Sequence, residues 1–487
     1  MLMGFDNKII NDRKPGLPSL LERGTRGEAV IAIFDVGKTN KKVLLFDEQY
    51  KVVYEESKQF EEIKDEDDFP CEDVNALTKW IKDSFDAVNR DERFNVKAVN
   101  FSAYGASFVY LDEQLRVALP LYNYLKPYSP QLKEKFYTVY GGESSFAKKT
   151  ASPVLGNLNS GMQLYRLKYE QPEKFDTIKY ALHLPQYLSF ILTGKLNTDI
   201  TSIGCHTNLW NFQNNKYHNW VKKEGVEAKL PPVKNCDEIA GHENENIPVG
   251  IGLHDSSAAL IPYLTSFNEP FVLLSTGTWC ITLNPFNHTQ LSDFELHQDC
   301  LCYLSYQGKP VKASRLFAGY EHEQQTKKIA VHFNKPLDHY KEVEYDLNIL
   351  QKIKPAQPIL KKTGEDVMVQ QSAFSTRDLN IFVSYEEAYH QLIADIITQQ
   401  VHSTGLVLKG TAVKRIFVDG GFGNNPIYMH LLSEAFPGIE VYAASVPQAS
   451  ALGAALAIHQ HWNKKQLPSD IIDLRLYAVT HNIITQR

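Results

Sequence analysis

The stretch Val30-Ile-Ala-Ile-Phe34, Asp35-Val-Gly-Lys-Thr-Asn40, Val43-Leu-Leu-Phe46 decides the fold of this 487-residue chain. A run rich in β-branched residues, a polar tip and an apolar return predict a strand, a tight turn and a second strand. Asp47-Glu-Gln then leads into a third alternating segment, Tyr50 to Glu55, which completes a three-stranded meander. The pattern recurs from position 271. Phe271-Val-Leu-Leu-Ser275 runs through Thr276-Gly-Thr278 into Trp279-Cys-Ile-Thr-Leu283, and Leu301 to Tyr306 and Val311 to Ser314 form a further pair across Gln307-Gly-Lys-Pro310. A duplicated meander, each copy followed by helices, predicts two similar α/β domains facing each other across a cleft.

Helical periodicity fills the intervals: Val74 to Val88, Ser129 to Tyr137, Leu158 to Tyr169, Leu184 to Leu192 ending at Gly194, Ser384 to Thr404 ending at Gly405, and Ala449 to Gln460. Ser384 with Glu387 predicts a capping box for the longest of these. The polar stretch Glu243-Asn-Glu-Asn-Ile-Pro gives way to Gly250-Ile-Gly252, so the expected organisation is a lead-in over 1–28, a first domain over 29–246 and a second over 247–487. The weakly patterned segment from about Tyr320 to Asp378 reads as an insertion on the second domain and a candidate homodimer interface.

Composition narrows the function classes. With 43% hydrophobic and 22% charged residues the chain is too balanced for disorder. Basic residues number 51 against 57 acidic, a net charge of −6, with no Lys/Arg cluster longer than a pair, which disfavours nucleic-acid partners. The apolar runs fall well short of the ~20 residues of a membrane span. The lead-in has no apolar stretch of signal-peptide length, so the expected location is cytoplasmic. Six scattered cysteines imply no disulfide framework, and Cys300 and Cys302 with His297 lack the second ligand pair of a zinc site.

Asp35-Val-Gly-Lys-Thr-Asn40 gathers a carboxylate, a glycine, a lysine and side-chain donors at one tip, as a metal-bound polyphosphate site requires, although a solvated turn has the same composition. It is not a Walker A loop, because GxxxxGK[ST] is absent. Thr276-Gly-Thr278 repeats a hydroxyl-bearing tip in the second half, so two tips can clamp a phosphate chain from opposite domains. Asp419-Gly-Gly-Phe-Gly-Asn-Asn-Pro426 joins the strand Val413 to Val418 to a helix, Ile427 to Ala435, where glycines admit a flat ligand and a helix N-terminus favours anions. Asp255 follows the Gly-rich turn Gly250-Ile-Gly-Leu-His254 at a helix start, where a capping role is the plain alternative.

Together these segments resemble the FGGY carbohydrate kinases over about Val30 to Gln460, with Ala451-Leu-Gly-Ala-Ala455, the segment His183 to Gly194 and the pair Thr198-Asp199 matching further family motifs in order. The resemblance implies two actin-like, ribonuclease-H-like domains around a nucleotide and sugar cleft, with ATP, Mg²⁺ and a sugar as ligands. It casts Asp255 as the general base toward a sugar hydroxyl and Asp35 as the acid near Mg²⁺. Gly37, Lys38, Thr39, Asn40, Gly277 and Thr278 would hold phosphates, and Gly420, Gly421 and Asn425 would border the nucleoside.

Around the acceptor, the resemblance is greatest to kinases of 6-deoxy-ketohexoses, L-rhamnulose and L-fuculose, through His254-Asp255, Ser275-Thr-Gly-Thr-Trp279 and the stretch Ser102 to Asp112. Tyr104, Gly105 and His254 then join Asp255 as substrate-binding residues, with Tyr104 and Phe108 as an apolar wall. Two departures stand out. Leu121-Tyr-Asn-Tyr-Leu-Lys126 replaces a W-x-D-x-R stretch, leaving Asn123 as a substitute for the acid, and Gln186 stands where relatives often have Asp. The competing readings are a kinase for another ketose or polyol, such as xylulose or ribulose, and a catalytically silent ATP/sugar sensor of the same fold.

Overall fold

The computed structural model describes residues 27–243, 246–354, 356–360 and 372–477. The lead-in therefore lies outside the described residues, apart from its last two positions.

The first half opens as the sequence predicts. Strands β1 (Glu28–Val36), β2 (Lys41–Asp47) and β3 (Val52–Lys58) form an antiparallel meander. β1 is buried from Val30 to Phe34, as an unbroken apolar run demands, whereas β3 is largely exposed at the sheet edge. Helix α1 (Val74–Arg90) is capped by Asp73, whose carboxylate accepts from the Asn75 and Ala76 amides, and buries Leu77, Trp80, Ile81 and Phe85 along one stripe. β4 (Phe94–Ala103) then pairs parallel to β1. After several short helices comes α2 (Leu184–Thr193), and β5 (Ile239–Glu243), β6 (Ile247–Gly250) and β7 (Leu253–His254) complete a seven-stranded sheet, ordered β5-β6-β4-β1-β2-β3 with β7 beside β4.

Helix α3 (Asp255–Ser266) leads to the second half. β8 (Phe271–Thr276), β9 (Cys280–Asn284), β10 (Cys300–Leu304) and β11 (Pro310–Leu316) precede α4 (Ala318–His332) and the long α5 (Tyr385–Leu408). β12 (Arg415–Gly420), α6 (Pro426–Ala435), β13 (Glu440–Ser445), α7 (Ala449–Ala457) and β14 (Asp473–Tyr477) follow. The strand order is β10-β11-β9-β8-β12-β13-β14. β11, β9 and β8 are antiparallel, and β12 runs parallel to β8, repeating the β3-β2-β1-β4 arrangement.

α3 and α7 cross between the sheets, and one apolar core joins Ile31, Ile33 and Leu44 of the first sheet to Leu273, Leu283 and Phe417 of the second through Ala258, Ala451 and Ala455. The contact is close. A Cβ on Gly453 of α7 would lie 1.8 Å from the Ala258 carbonyl oxygen of α3. Two α/β sheets facing each other through paired helices is the duplicated architecture the repeated meander predicts.

The further pair forms as expected, Cys300–Leu304 against Pro310–Leu316, and Pro310–Leu316 also pairs with Cys280–Asn284, which closes the second meander. Other expectations need correction. α5 continues through Gly405 to Leu408, because packing across most of its circumference outweighs one glycine. The Ser384 side chain accepts from the Glu387 amide, but Glu387 accepts from Val383 rather than from Ser384, so the capping box is half formed. The expected division at 246/247 falls inside the β5–β6 hairpin of the first sheet, and we propose that it lies within α3 instead. Where described, the segment over 320–378 belongs to the body of the second half. α4 packs on α5, and Glu321 accepts from the buried Ser372 hydroxyl at 2.7 Å. Among the described residues no helix is long and apolar enough to cross a membrane.

Candidate active site

Asp35 belongs to β1 rather than to the turn, in register with Lys42 of β2 and Ser102 of β4. The turn itself is short, with the Gly37 amide donating to the Asn40 carbonyl at 2.9 Å. Ser450, in the first turn of α7, reaches over from the second half and donates to Asp35 Oδ2 at 2.9 Å. Burial, reinforced by the nearby Asp255 carboxylate, pushes Asp35 up to about 6 against the opposing effects of Ser450 and Lys42. Two carboxylates from different elements thus converge where the halves meet.

Asp255 is not a capping residue. His254 occupies the cap position and Asp255 is the first residue of α3, its side chain 35% exposed. Its Oδ1 accepts from the Ser256 amide at 2.5 Å and lies 3.3 Å from His254 Nε2. No hydrogen bond among the described residues engages Oδ2. His254 is buried, and burial keeps its ring neutral despite Asp255 and Asp199. Its backbone amide donates to Thr201 Oγ1 at 3.0 Å, and Cys205 Sγ lies 3.1 Å from Nε2. Asp199 accepts from the Thr201 and Ser202 amides and from Gln186, which also donates to the Gly252 carbonyl. Gln186 therefore braces the turn that presents Asp255.

Tyr104 and Gly105 border the same place. A Cβ on Gly105 would lie 2.8 Å from the His254 ring. The Tyr104 hydroxyl donates to Glu72 at 2.5 Å, Glu72 lies 2.6 Å from Lys41 Nζ, and Lys41 donates to the Lys38 carbonyl, which ties the wall to the first tip. Lys38 Nζ pairs with Glu62 at 2.8 Å and sits 5.9 Å from the Tyr104 ring, while Thr39 and Asn40 are exposed. Two residues expected at the sugar, Phe108 as wall and Asn123 as substitute for the lost acid, lie elsewhere. Phe108 is fully buried against His183, because alternation along its short strand turns it into the core. Asn123 Oδ1 accepts from the Leu125 amide in its own turn, and Tyr124, 6.3 Å from the Tyr104 ring, faces the site instead.

The second tip lies at the mouth of a cavity of about 700 Å³ lined by Thr276, Gly277, Thr278, His322, Tyr389, Gly421 and Asn425 among others. Gly420 has φ +92°, and a Cβ there would lie 2.0 Å from the Thr276 carbonyl oxygen, so the loop after β12 crosses β8 only with glycine at that position. Asn425 caps α6 by accepting from the Tyr428 amide and donates to the Tyr389 hydroxyl, to which His322 is also within 3.0 Å. The supposed insertion supplies part of this cavity, including Tyr340, Lys341 and Val343, and α4 begins beside the tip, with the Tyr320 amide donating to the Thr278 carbonyl.

Sequence reasoning did not single out Ser450, Tyr124, Tyr389 or Tyr303, which stacks on the His254 ring at 5.7 Å. A weak signal existed for the floor of the site, since Asn100 and Ser102 are the polar positions in the buried run from Ala98 to Ala103. As to a metal, Mg²⁺ keeps several waters and takes one or two carboxylates plus substrate phosphates. Asp35 fits that mode, and among the described residues no group of three or more His, Cys, Asp or Glu forms a dedicated cage.

Comparison with known proteins bears on the family and the fold. Residues 30–261 match the N-terminal domain of the FGGY family of carbohydrate kinases, and residues 268–466 match a C-terminal domain of carbohydrate kinase FGGY. A rhamnulokinase from Mannheimia succiniciproducens is 24% identical over 52% of this chain and 52% of its own length, and one from Klebsiella pneumoniae is 27% identical over 44% of each. The chain thus spans about half the length of the curated relatives it matches. Among solved structures, a carbohydrate kinase from Novosphingobium aromaticivorans superposes with a TM-score of 0.74 at 20% identity, covering 93% of this chain and 95% of that one. A xylulose kinase from Lactobacillus acidophilus gives a TM-score of 0.76 at 16% identity, covering 93% and 94%. With both domain models matched in order along the same fold, the chain belongs to the FGGY family of carbohydrate kinases.

Proposed function

We propose that the protein is an ATP-dependent sugar kinase that transfers the γ-phosphate to a hydroxyl of a 6-deoxy-ketohexose such as L-rhamnulose or L-fuculose. The observation that carries this reading is the placement of Asp255. Its carboxylate is partly exposed at the start of α3, one oxygen is pinned by the Ser256 amide, and it shares the meeting point of the halves with Asp35.

In the mechanism, Asp255 accepts the proton of the sugar hydroxyl as that oxygen forms its bond to the γ-phosphorus and the bond to the β-bridging oxygen breaks, releasing ADP. His254, held neutral, keeps its ring against Asp255 Oδ1. Gly277 and Thr278 hold the phosphate chain from the second half, with the nucleoside in the cavity bordered by Gly420, Gly421 and Asn425. Lys38, Thr39 and Asn40 face it from the first half. Asp35 would hold Mg²⁺, which when bound neutralises charge on the phosphates. Closure of the halves excludes water that would otherwise hydrolyse ATP.

The acceptor assignment rests on the rhamnulokinase relatives and on an aromatic lining, Tyr104, Tyr124 and Tyr303, that suits a methyl-bearing sugar. The test is ADP release with MgATP across five ketoses, L-rhamnulose, L-fuculose, L-ribulose, D-xylulose and L-xylulose, with Asp255→Asn alongside. Turnover on a 6-deoxy-ketohexose that vanishes in the variant is the expected result. Turnover confined to a pentulose would overturn the acceptor, and ATP binding without turnover on any sugar would favour the sensor.

A further inference from the structure

Arg315 stands near the end of β11, opposite Ile281 of β9. That register puts it on the same face as Val311 and Ala313, the face that packs toward α3 and the first half. Its side chain is only 6% exposed. Nη2 donates to Asp299 Oδ1 at 2.8 Å, and the guanidinium lies 5.3 Å from the ring of Trp279, which adjoins the second tip. Nε is buried with no hydrogen-bond partner among the described residues.

The surroundings of that unused donor belong to the acceptor wall. Tyr303, on the same sheet face, stacks on the His254 ring at 5.7 Å and 25° and lies 6.2 Å from the His206 ring. His254 Nδ1 is likewise buried and without a partner among the described residues. With the ring proton on Nε2, toward Asp255 and Cys205, Nδ1 is an acceptor. The Arg315 charge is felt by Cys205, His206 and Tyr303 on the acceptor side, while the guanidinium lies beside Trp279 at the second tip, so it stands between the acceptor wall and that tip. A buried pair serving the fold alone would leave this N–H unsatisfied, which is costly, so an orphaned donor beside a ligand wall calls for a ligand atom.

We infer that Arg315 is a specificity-determining residue of the acceptor site, its Nε–H donating to an oxygen of the bound sugar from the second-half side. This rests on the kinase reading above. Because Asp299 already balances the guanidinium charge, the oxygen it reads is a neutral hydroxyl or carbonyl oxygen, not a carboxylate, and the acceptor is a neutral polyhydroxylated compound rather than a sugar acid.

The test uses Arg315→Lys, which keeps a cation able to pair with Asp299 but replaces the guanidinium, its Nε donor included, by a single ammonium. The double variant Arg315→Gln/Asp299→Asn, which removes both charges together, carries the same measurements if the lysine variant does not fold. Each is compared with the native enzyme for KM and kcat on the best ketose, for affinity toward a non-hydrolysable ATP analogue, and for discrimination against the monodeoxy analogues of that ketose. The expected result is a KM raised about tenfold or more, ATP-analogue affinity unchanged within about twofold, and loss of the native penalty for one deoxy analogue, because the oxygen it lacks no longer has a partner. An unchanged KM overturns the inference, as does an equal loss of ATP-analogue affinity, which would place Arg315 at the phosphates. Native turnover on a sugar acid in preference to neutral sugars overturns it while leaving the kinase reading intact. A native enzyme that phosphorylates no acceptor overturns both.

Discussion

Asp35→Asn should make the protein more stable while removing its activity. The carboxylate is held in β1 under Ser450, and burial first, then Asp255, lifts it from its ordinary 3.8 to about 6. That rise is worth about 3 kcal/mol at 1.36 kcal/mol per pKa unit, the cost of ionising Asp35 in the folded protein relative to the unfolded chain. The sign follows from the raised value. The folded state holds this proton more tightly, so the contribution to stability is fully present below about pH 4 and is lost as pH rises through about 6. Asparagine cannot ionise, and its amide oxygen still accepts from Ser450. Thermal unfolding in EDTA should therefore show the variant melting roughly 3 °C above the native protein near pH 8, with the gap closing near pH 4. MgATP-dependent turnover should be absent in the variant at every pH. A variant no more stable than the native protein near pH 8, or a gap equally large near pH 4, would refute the reasoning.

Asp255→Asn should lower kcat by about 10²–10⁴, the usual contribution of a general base, while a calorimetric titration with an ATP analogue shows unchanged affinity. Near-normal turnover would remove Asp255 from that role. Lys38→Ala should weaken MgATP binding or turnover through lost phosphate neutralisation, whereas Glu62→Gln, which only releases Lys38 from its 2.8 Å pair, should leave both nearly intact; steady-state kinetics separate the two. Gly453→Ala should destabilise by about 1–3 kcal/mol, because the new methyl must push α7 off the Ala258 carbonyl, and a melting curve unchanged from the native one would contradict the close helix contact.

Much of the scaffold was legible because it is local. The β-branched run before Asp35, its echo before Thr276, the Gly-Gly loop after Val418 and the stripe of α1 each carry their conformation within about ten residues, through propensity, turn chemistry and periodicity. Local rules also erred in a consistent way. Gly405 reads as a helix end and Phe108 as a site wall, yet packing around α5 carries the helix onward and strand alternation turns Phe108 inward. The weak pattern over 320–378 hid a helix that starts at the second tip and a loop that lines the cavity beside it.

The sequence by itself determined that two sheet-bearing halves, each opening on a polar tip, would face one another, and it named Asp35 and Asp255. Only the tertiary structure decided what surrounds them. Ser450 reaches Asp35 from 415 positions away, Gln186 braces Asp199 and the Gly252 turn, and Tyr303 stacks on the His254 ring. Such contacts have no local signature, since they arise when separate elements bury a common surface and the polar groups caught there must find partners across it.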